Sequence, residues 1–141
     1  MDIQIRKANL SDAPALYRLN SAFNGSCTTE ELIIDSLQNN KHEIVLIAFV
    51  NGAPAGFLCG EICRSMCYKT PHGSISELFV ENEYRRQGIA AKLIHEIETE
   101  FREMGVIVVD INTSADNHSA QTLYKSCGYI GKTKMVFRKN I

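Results

Sequence analysis

Residues 75–90 read Ile-Ser-Glu-Leu-Phe-Val-Glu-Asn-Glu-Tyr-Arg-Arg-Gln-Gly-Ile-Ala. They are an apolar strand that runs through arginines and a glycine into a long amphipathic helix. No other stretch limits so tightly what this chain can fold into. A strand feeding a helix through small residues is half of an α/β unit, and it leaves the first N–H groups of the helix without intrahelical partners. Such a turn can cradle a phosphate or pyrophosphate, and nearby arginines add charge-assisted donors.

The spacing excludes two common phosphate loops, because neither G-x-x-x-x-G-K-[S/T] nor G-x-G-x-x-G occurs. What occurs is R-x-x-G-x-A, at Arg85, Gly88 and Ala90. A basic helix start with ordinary small residues would give the same string. A second patch decides between the two readings: Asn117-His118-Ser119-Ala120-Gln121-Thr122-Leu123-Tyr124-Lys125-Ser126-Cys127-Gly128-Tyr129. The pair resembles the two signatures of the GCN5-related N-acetyltransferase (GNAT) superfamily, Q/R-x-x-G-x-G/A and N-x-x-A-x-x-L-Y-x-x-x-G-[F/Y]. The resemblance covers residues 3 to 137. It implies the α/β acetyltransferase (GNAT) fold, a mixed, strongly twisted central sheet with helices on both faces.

Size and composition fit one compact unit and argue against nucleic-acid and membrane classes. The chain has 141 residues, 45% of them hydrophobic, which is the length and core content of one domain spanning residues 1–141. A net charge of −1 provides no field for nucleic acid. Asp2 and Arg6 interrupt the N-terminus where a leader would be apolar, and no run reaches membrane-span length, so the expectation is a cytoplasmic protein without nucleic-acid or membrane partners. The five cysteines, Cys27, Cys59, Cys63, Cys67 and Cys127, read as free thiols. Their spacing builds no zinc knuckle, so no metal site is expected, and Cys59 and Cys63 read as small fillers on one strand face.

Periodicity sets the order of elements. Ile3 and Ile5 mark a first strand. Ser11 is expected to cap a helix from Asp12 to about Ala22, and Thr28 with Glu31 to box a second through Leu37. Strands at Ile44–Val50 and Ala55–Ile62 flank an Asn51-Gly52 hairpin turn, followed by a loop from Cys63 to Gly73 and a central strand at Ile75–Val80. The long helix runs from Gly88 to Glu103, with Ala90, Leu93, Ile94, Ile97 and Phe101 on its buried face. Val106–Thr113 reads as an interior strand covered on both faces. Asn117 caps a last helix that Gly128 stops, and residues Lys132 to Arg138 are expected to form a final strand. In the fold implied by the resemblance, the strands Ser76–Val80 and Val106–Thr113 splay apart where the cofactor enters.

The resemblance also implies roles. Acetyl-CoA is the donor, acetyl transfer to an amine is direct, and no cysteine nucleophile is needed. The turn formed by Arg85, Arg86, Gln87, Gly88, Ile89 and Ala90 would hold the pyrophosphate, with Gly88 allowing close approach. Phe79 and Val80 would present backbone to the pantetheine as an added strand would. Tyr124 is the candidate general acid, since a phenol is protonated at neutral pH and can supply a departing thiolate; the alternative is a core tyrosine. Asn117 is explained as a helix cap and is also placed to bind cofactor. Glu77 interrupts an apolar strand, and a carboxylate there needs a partner or a cavity. It is the candidate general base, although some relatives carry the base one position earlier, at Ser76 here, and Glu77 could serve only to bind a cation.

The acceptor is the least legible part. Its pocket is expected between the helix pair of residues 23–37 and the loop Arg64–Gly73, with Glu30, Glu31, Asp35, Glu61 and Glu77 attracting a cationic amine. Asn112 is a further candidate for its lining, and His72 for substrate binding. A small polyamine or aminoglycoside suits that charge. A peptide or protein amine, and a non-catalytic CoA-binding regulator, are the competing readings. The family often forms dimers, but no exposed stripe in the sequence identifies an interface.

Overall fold

Five strands form one sheet in the order β1-β2-β3-β4-β5: β1 (Ile3–Lys7), β2 (Glu43–Val50), β3 (Ala53–Cys63), β4 (His72–Val80) and β5 (Val109–Ile111). The computed structural model describes residues 1–141. The first four strands are antiparallel neighbours and β5 runs parallel to β4. Asn51 and Gly52 both take positive φ (49° and 81°), the left-handed pair that a two-residue hairpin turn requires.

Helices α1 (Ala13–Asn24) and α2 (Glu30–Asn39) cover one face, where Leu16 and Leu19 meet Ile47 and Phe57. Helices α3 (Ile89–Glu103) and α4 (His118–Ser126) cover the other. The buried stripe of α3 is Ile89, Leu93, Ile94, Ile97 and Phe101, so Ile89 takes the inward position expected of Ala90. Phe101 sits over glycines: a Cβ on Gly60 or Gly73 would lie 2.9 Å from its ring. An alanine at either position would overpack this contact, at about 1–3 kcal/mol.

Several expected boundaries move, each for a local reason. The first helical turn is capped by Asn9 rather than Ser11, and Ser11 N–H donates to Asn9 Oδ1. Asp12 closes the box by accepting from Asn9 N–H and is held by both guanidinium nitrogens of Arg6 at 2.7 and 2.9 Å. Those bonds keep its carboxyl below the usual range despite burial. Thr29, not Thr28, caps α2, and the helix runs on to Asn39. β4 begins at His72, three residues before the expected start, by pairing with Cys63. Val106–Thr113 is not an interior strand: only Val109–Ile111 pairs, at the sheet edge, with Ile107 and Val108 exposed. Residues 132–138 form no strand.

No helix is long and apolar enough to cross a membrane.

Candidate functional site

The parallel pairing of β4 with β5 lasts three residues, Gly73–Ile75 against Val109–Ile111. Beyond it, β4 continues to Val80 with no strand on that side, and the chain after Ile111 diverges. The gap opens into a cleft of about 670 Å³, lined by residues 75–80 on one wall and Ile111, Asn112 and Thr113 on the other. Its ends are the 84–91 turn and the start of α4, including Asn117, Leu123 and Tyr124. Residues far apart in sequence therefore converge on one opening.

The turn that closes one end is a set of unused donors. The N–H groups of Arg86, Gln87, Gly88, Ile89, Ala90 and Ala91 donate to no acceptor in the protein, and the first intrahelical bond is Lys92 N–H to Gly88 O. α3 has no side-chain cap. Arg86 (φ 62°) and Gly88 (φ 80°) are both left-handed, and left-handed residues beside unpaired N–H groups at a helix N-terminus are the backbone pattern of anion-binding nests. A Cβ on Gly88 would meet nothing within 4 Å, so it is the backbone angle that demands glycine, and the space beside it is open. The Arg85 side chain turns back instead: Nε donates to Val80 O at 2.7 Å and the guanidinium lies over the Phe79 ring. The Val80 carbonyl is thus already engaged, and Arg85 ties the turn to the strand end. Arg86, Gly88, Ile89 and Ala90 line the cleft; Gln87 is exposed and does not line it.

Tyr124 is half-buried against the α3-side core, and burial pushes its phenol up, so it is protonated at neutral pH. Asn117 Oδ1 accepts from Ala120 N–H at 3.1 Å while the residue lines the cleft, so capping and lining coexist.

Glu77 stands where β4 is irregular. Cys59 opposes Glu77 but Gly60 opposes Ile75, which leaves Ser76 as the extra residue of a β-bulge, its Oγ donating to Cys59 O. The bulge resets strand parity. Ile75 and Leu78 both face α3, and Glu77 and Phe79 face α1 and α2. Glu77 lines the cleft and also a second pocket of about 260 Å³ under α1 and α2, and no other residue lines both. The second pocket is walled by apolar residues such as Leu16, Ile33 and Phe57 and carries Glu43 at its edge. Burial raises the Glu77 carboxyl above its ordinary range, and the charges of Glu61 and Glu43 raise it further. None of these three carboxylates has a cationic side-chain partner.

The sequence profile described as the acetyltransferase (GNAT) family matches residues 13–129. The chain belongs to that family. It is an acetyltransferase by that membership, and the family implies acetyl-CoA as the donor. Solved structures share the fold at low identity. An aminoglycoside acetyltransferase from an uncultured soil metagenomic sample, in complex with trehalose, is 23% identical (TM-score 0.85; 99% of this chain and 95% of that one). The aminoglycoside N-acetyltransferase AAC(6')-Iy, in complex with a CoA-S-monomethyl-acetylneamine bisubstrate analogue, is 20% identical (TM-score 0.88; 100% and 99%). A ribosomal-protein-alanine N-acetyltransferase from Brucella melitensis biovar Abortus 2308 is 19% identical (TM-score 0.82; 99% and 100%).

Within this family frame the acceptor side departs most from sequence expectation. Glu30, Glu31 and Asp35 lie on α2 but line neither pocket, and Asp35 accepts from Asn39 instead. The loop 64–71 lines neither pocket, and His72 packs edge-on against Tyr68. Sequence reading missed Glu43, whose Oε1 accepts from Ser36 Oγ at 2.8 Å. No local signal finds it: the Asn51-Gly52 turn alone would set Glu43 opposite Gly60, and the register shift between Ala48 and Phe49 moves the pairing to Glu61. Cys59 faces the second pocket as a filler whose thiol is pushed far up by burial, whereas Cys63 is exposed.

Proposed function

We propose that this protein transfers the acetyl group of acetyl-CoA directly to the primary amine of a small cationic molecule, with Glu77 as general base and Tyr124 as general acid. The observation that carries the reading is the position of Glu77 as the one residue shared by the cleft and the carboxylate-bearing pocket. An amine held in the second pocket reaches the cleft at a carboxylate that burial and the neighbouring Glu61 and Glu43 charges make a stronger base. When bound, acetyl-CoA supplies the activated acyl group. The backbone donors of residues 86–91 hold its pyrophosphate, Arg85 fixes that turn against Val80 O, and the open edge of β4 through Phe79 and Val80 accepts the pantetheine arm. Tyr124, protonated, delivers its proton to the departing thiolate. Asn117 orients the start of α4 over the cleft.

A cationic acceptor fits because Glu43, Glu61 and Glu77 point to one face of the sheet without cationic partners, and a bound ammonium would offset their repulsion. The small, partly apolar pocket, about 260 Å³, favours a small amine over an extended peptide. The three exposed thiols, Cys27, Cys63 and Cys67, suit the reducing cytoplasm.

Calorimetry with acetyl-CoA, followed by release of CoA with a panel of polyamines, aminoglycosides, amino acids and short peptides, tests the reading. Saturable binding with turnover on small cationic amines is expected. Turnover on peptides alone would replace the acceptor class and leave the donor. Binding without any turnover would favour a CoA-binding regulator.

A further inference from the structure

The floor of the pocket under α1 and α2 is a grid set by strand pairing. Cys59 of β3 lies opposite Val45 of β2 on one side and opposite Glu77 of β4 on the other. Glu43 follows the face of Val45, two residues along β2, and all four residues line the pocket. Two strand spacings across and two residues along put the Glu43 and Glu77 Cα atoms ~12 Å apart, with both side chains standing off one face of the sheet. Seven of the twelve lining residues are hydrophobic, Leu16, Ile33 and Phe57 among them, so the space shared by the two carboxylates is walled mainly by hydrocarbon.

Little else in the pocket is free to hold a polar ligand. Asn20 is bonded to Asn24, and the Ser36 hydroxyl donates to Glu43. Neither Glu43 nor Glu77 has a cationic side-chain partner. The cations of the neighbouring β1 and α1 are taken: Arg6 by Asp12, Lys7 by Glu100 and Arg18 by Glu81. Exposed Glu61 lies directly across from Glu43, and like charges facing each other on adjacent strands repel. A cation at the Glu43 end offsets that repulsion.

We propose that the acceptor is an α,ω-diamine with a methylene body, held at both ends, its reacting nitrogen at Glu77 and its other ammonium at Glu43. The inference rests on the reading of this pocket as the acceptor site and narrows it. An ammonium ~3 Å inside each carboxylate leaves ~6 Å between the nitrogens, the extended span of about four or five methylenes. A hydroxylated ring frame would set its hydroxyls against apolar side chains, and a pocket of about 260 Å³ is smaller than sites for drug-sized ligands.

The two ends are not equivalent, because Glu77 lines the cleft and Glu43 does not. Only the nitrogen at Glu77 meets the thioester. The step forms the amide C–N bond and breaks the thioester C–S bond. Of the two protons the ammonium loses, one leaves through Glu77 and one replaces the proton that Tyr124 gives the thiolate. The acetylated end is then neutral. Turning the product round would place an amide against Glu43 and Glu61 in place of an ammonium, so transfer stops at one acetyl group.

The test compares kcat/KM for diaminobutane, aminobutanol and butylamine, which share a four-carbon body and differ at the far end. Diaminobutane is expected to lead the other two by about fivefold, the worth of one partly screened ion pair. In Glu43→Gln that ratio is expected to fall toward one, with circular dichroism checking the fold. Mass spectrometry is expected to find the monoacetyl product. Equal rates on the three wild-type substrates, a diamine preference that survives Glu43→Gln, a diacetyl product, or a better rate on an aminoglycoside than on any diamine would each overturn the two-ended pose and leave acetyl transfer to amines standing. No turnover with any amine would overturn the pose together with the reading it rests on.

Discussion

The two pockets that meet at Glu77 are made of different material. The cleft brings side chains together with much free backbone: a run of N–H groups from Arg86 to Ala91, the open edge of β4 and the first turn of α4. The pocket under α1 and α2 is side chains drawn from α1, α2, β2, β3 and β4. Backbone sites need few residue types, a glycine where φ is positive and a small residue at the next turn, so they leave short strings in the sequence. Side-chain pockets are assembled by packing and leave none. On the proposed reading, the difference separates a donor site common to a family from an acceptor site peculiar to a chain.

Four substitutions test this contrast, in falling order of effect. Glu77→Gln keeps shape and removes the base. We expect kcat to fall by ~10²–10⁴-fold with acetyl-CoA affinity preserved. If kcat survives and only the acceptor KM rises, Glu77 is a binding carboxylate. Gly88→Val forces a branched residue into a left-handed turn and fills the open space beside it. The acetyl-CoA dissociation constant should rise about a hundredfold, the equivalent of one or two charged hydrogen bonds at ~1.5–3 kcal/mol each. Unchanged calorimetric affinity in a folded variant would remove the turn from the donor site. Tyr124→Phe should lower kcat about tenfold, toward the small end for acid catalysis because water can deliver the proton. A wild-type rate leaves the tyrosine a packing residue. Glu43→Gln should raise KM for a cationic amine about fivefold, as expected for ~1 kcal/mol of partly screened attraction, without altering acetyl-CoA binding. An equal effect on a neutral amine would make the contribution steric.

The lining of the cleft was legible because Gly88, Ala90, Asn117 and Tyr124 stand in fixed order within a strand–helix pattern that periodicity reveals. The Asn51-Gly52 turn and the α3 stripe were legible for the same local reason. The second pocket was not. The Ser76 bulge changes the parity of β4 through a register shift against β3, which no local pattern records. Glu30 and Glu31 are as acidic as Glu43, and only the rotation of α2 decides that they miss the pocket. β5 looked interior because Val106, Ile107, Val108 and Val109 are contiguous, yet only three residues pair. The tail looked like a strand by pattern, but a strand needs a neighbour, and sequence pattern does not say where one is.

The most direct measurement is the pH dependence of kcat/KM with the best small amine, in wild type and in Glu43→Gln, Glu61→Gln and Glu77→Gln. A general base acts when deprotonated, so activity should rise with pH through the Glu77 pKa. That limb should lie above the ordinary carboxylate range, because burial and two neighbouring carboxylates raise it. Removing either neighbouring charge should move the limb to lower pH, and Glu77→Gln should abolish it. A limb that stays in place in all three variants would contradict the assignment of Glu77 as the base where the two pockets meet.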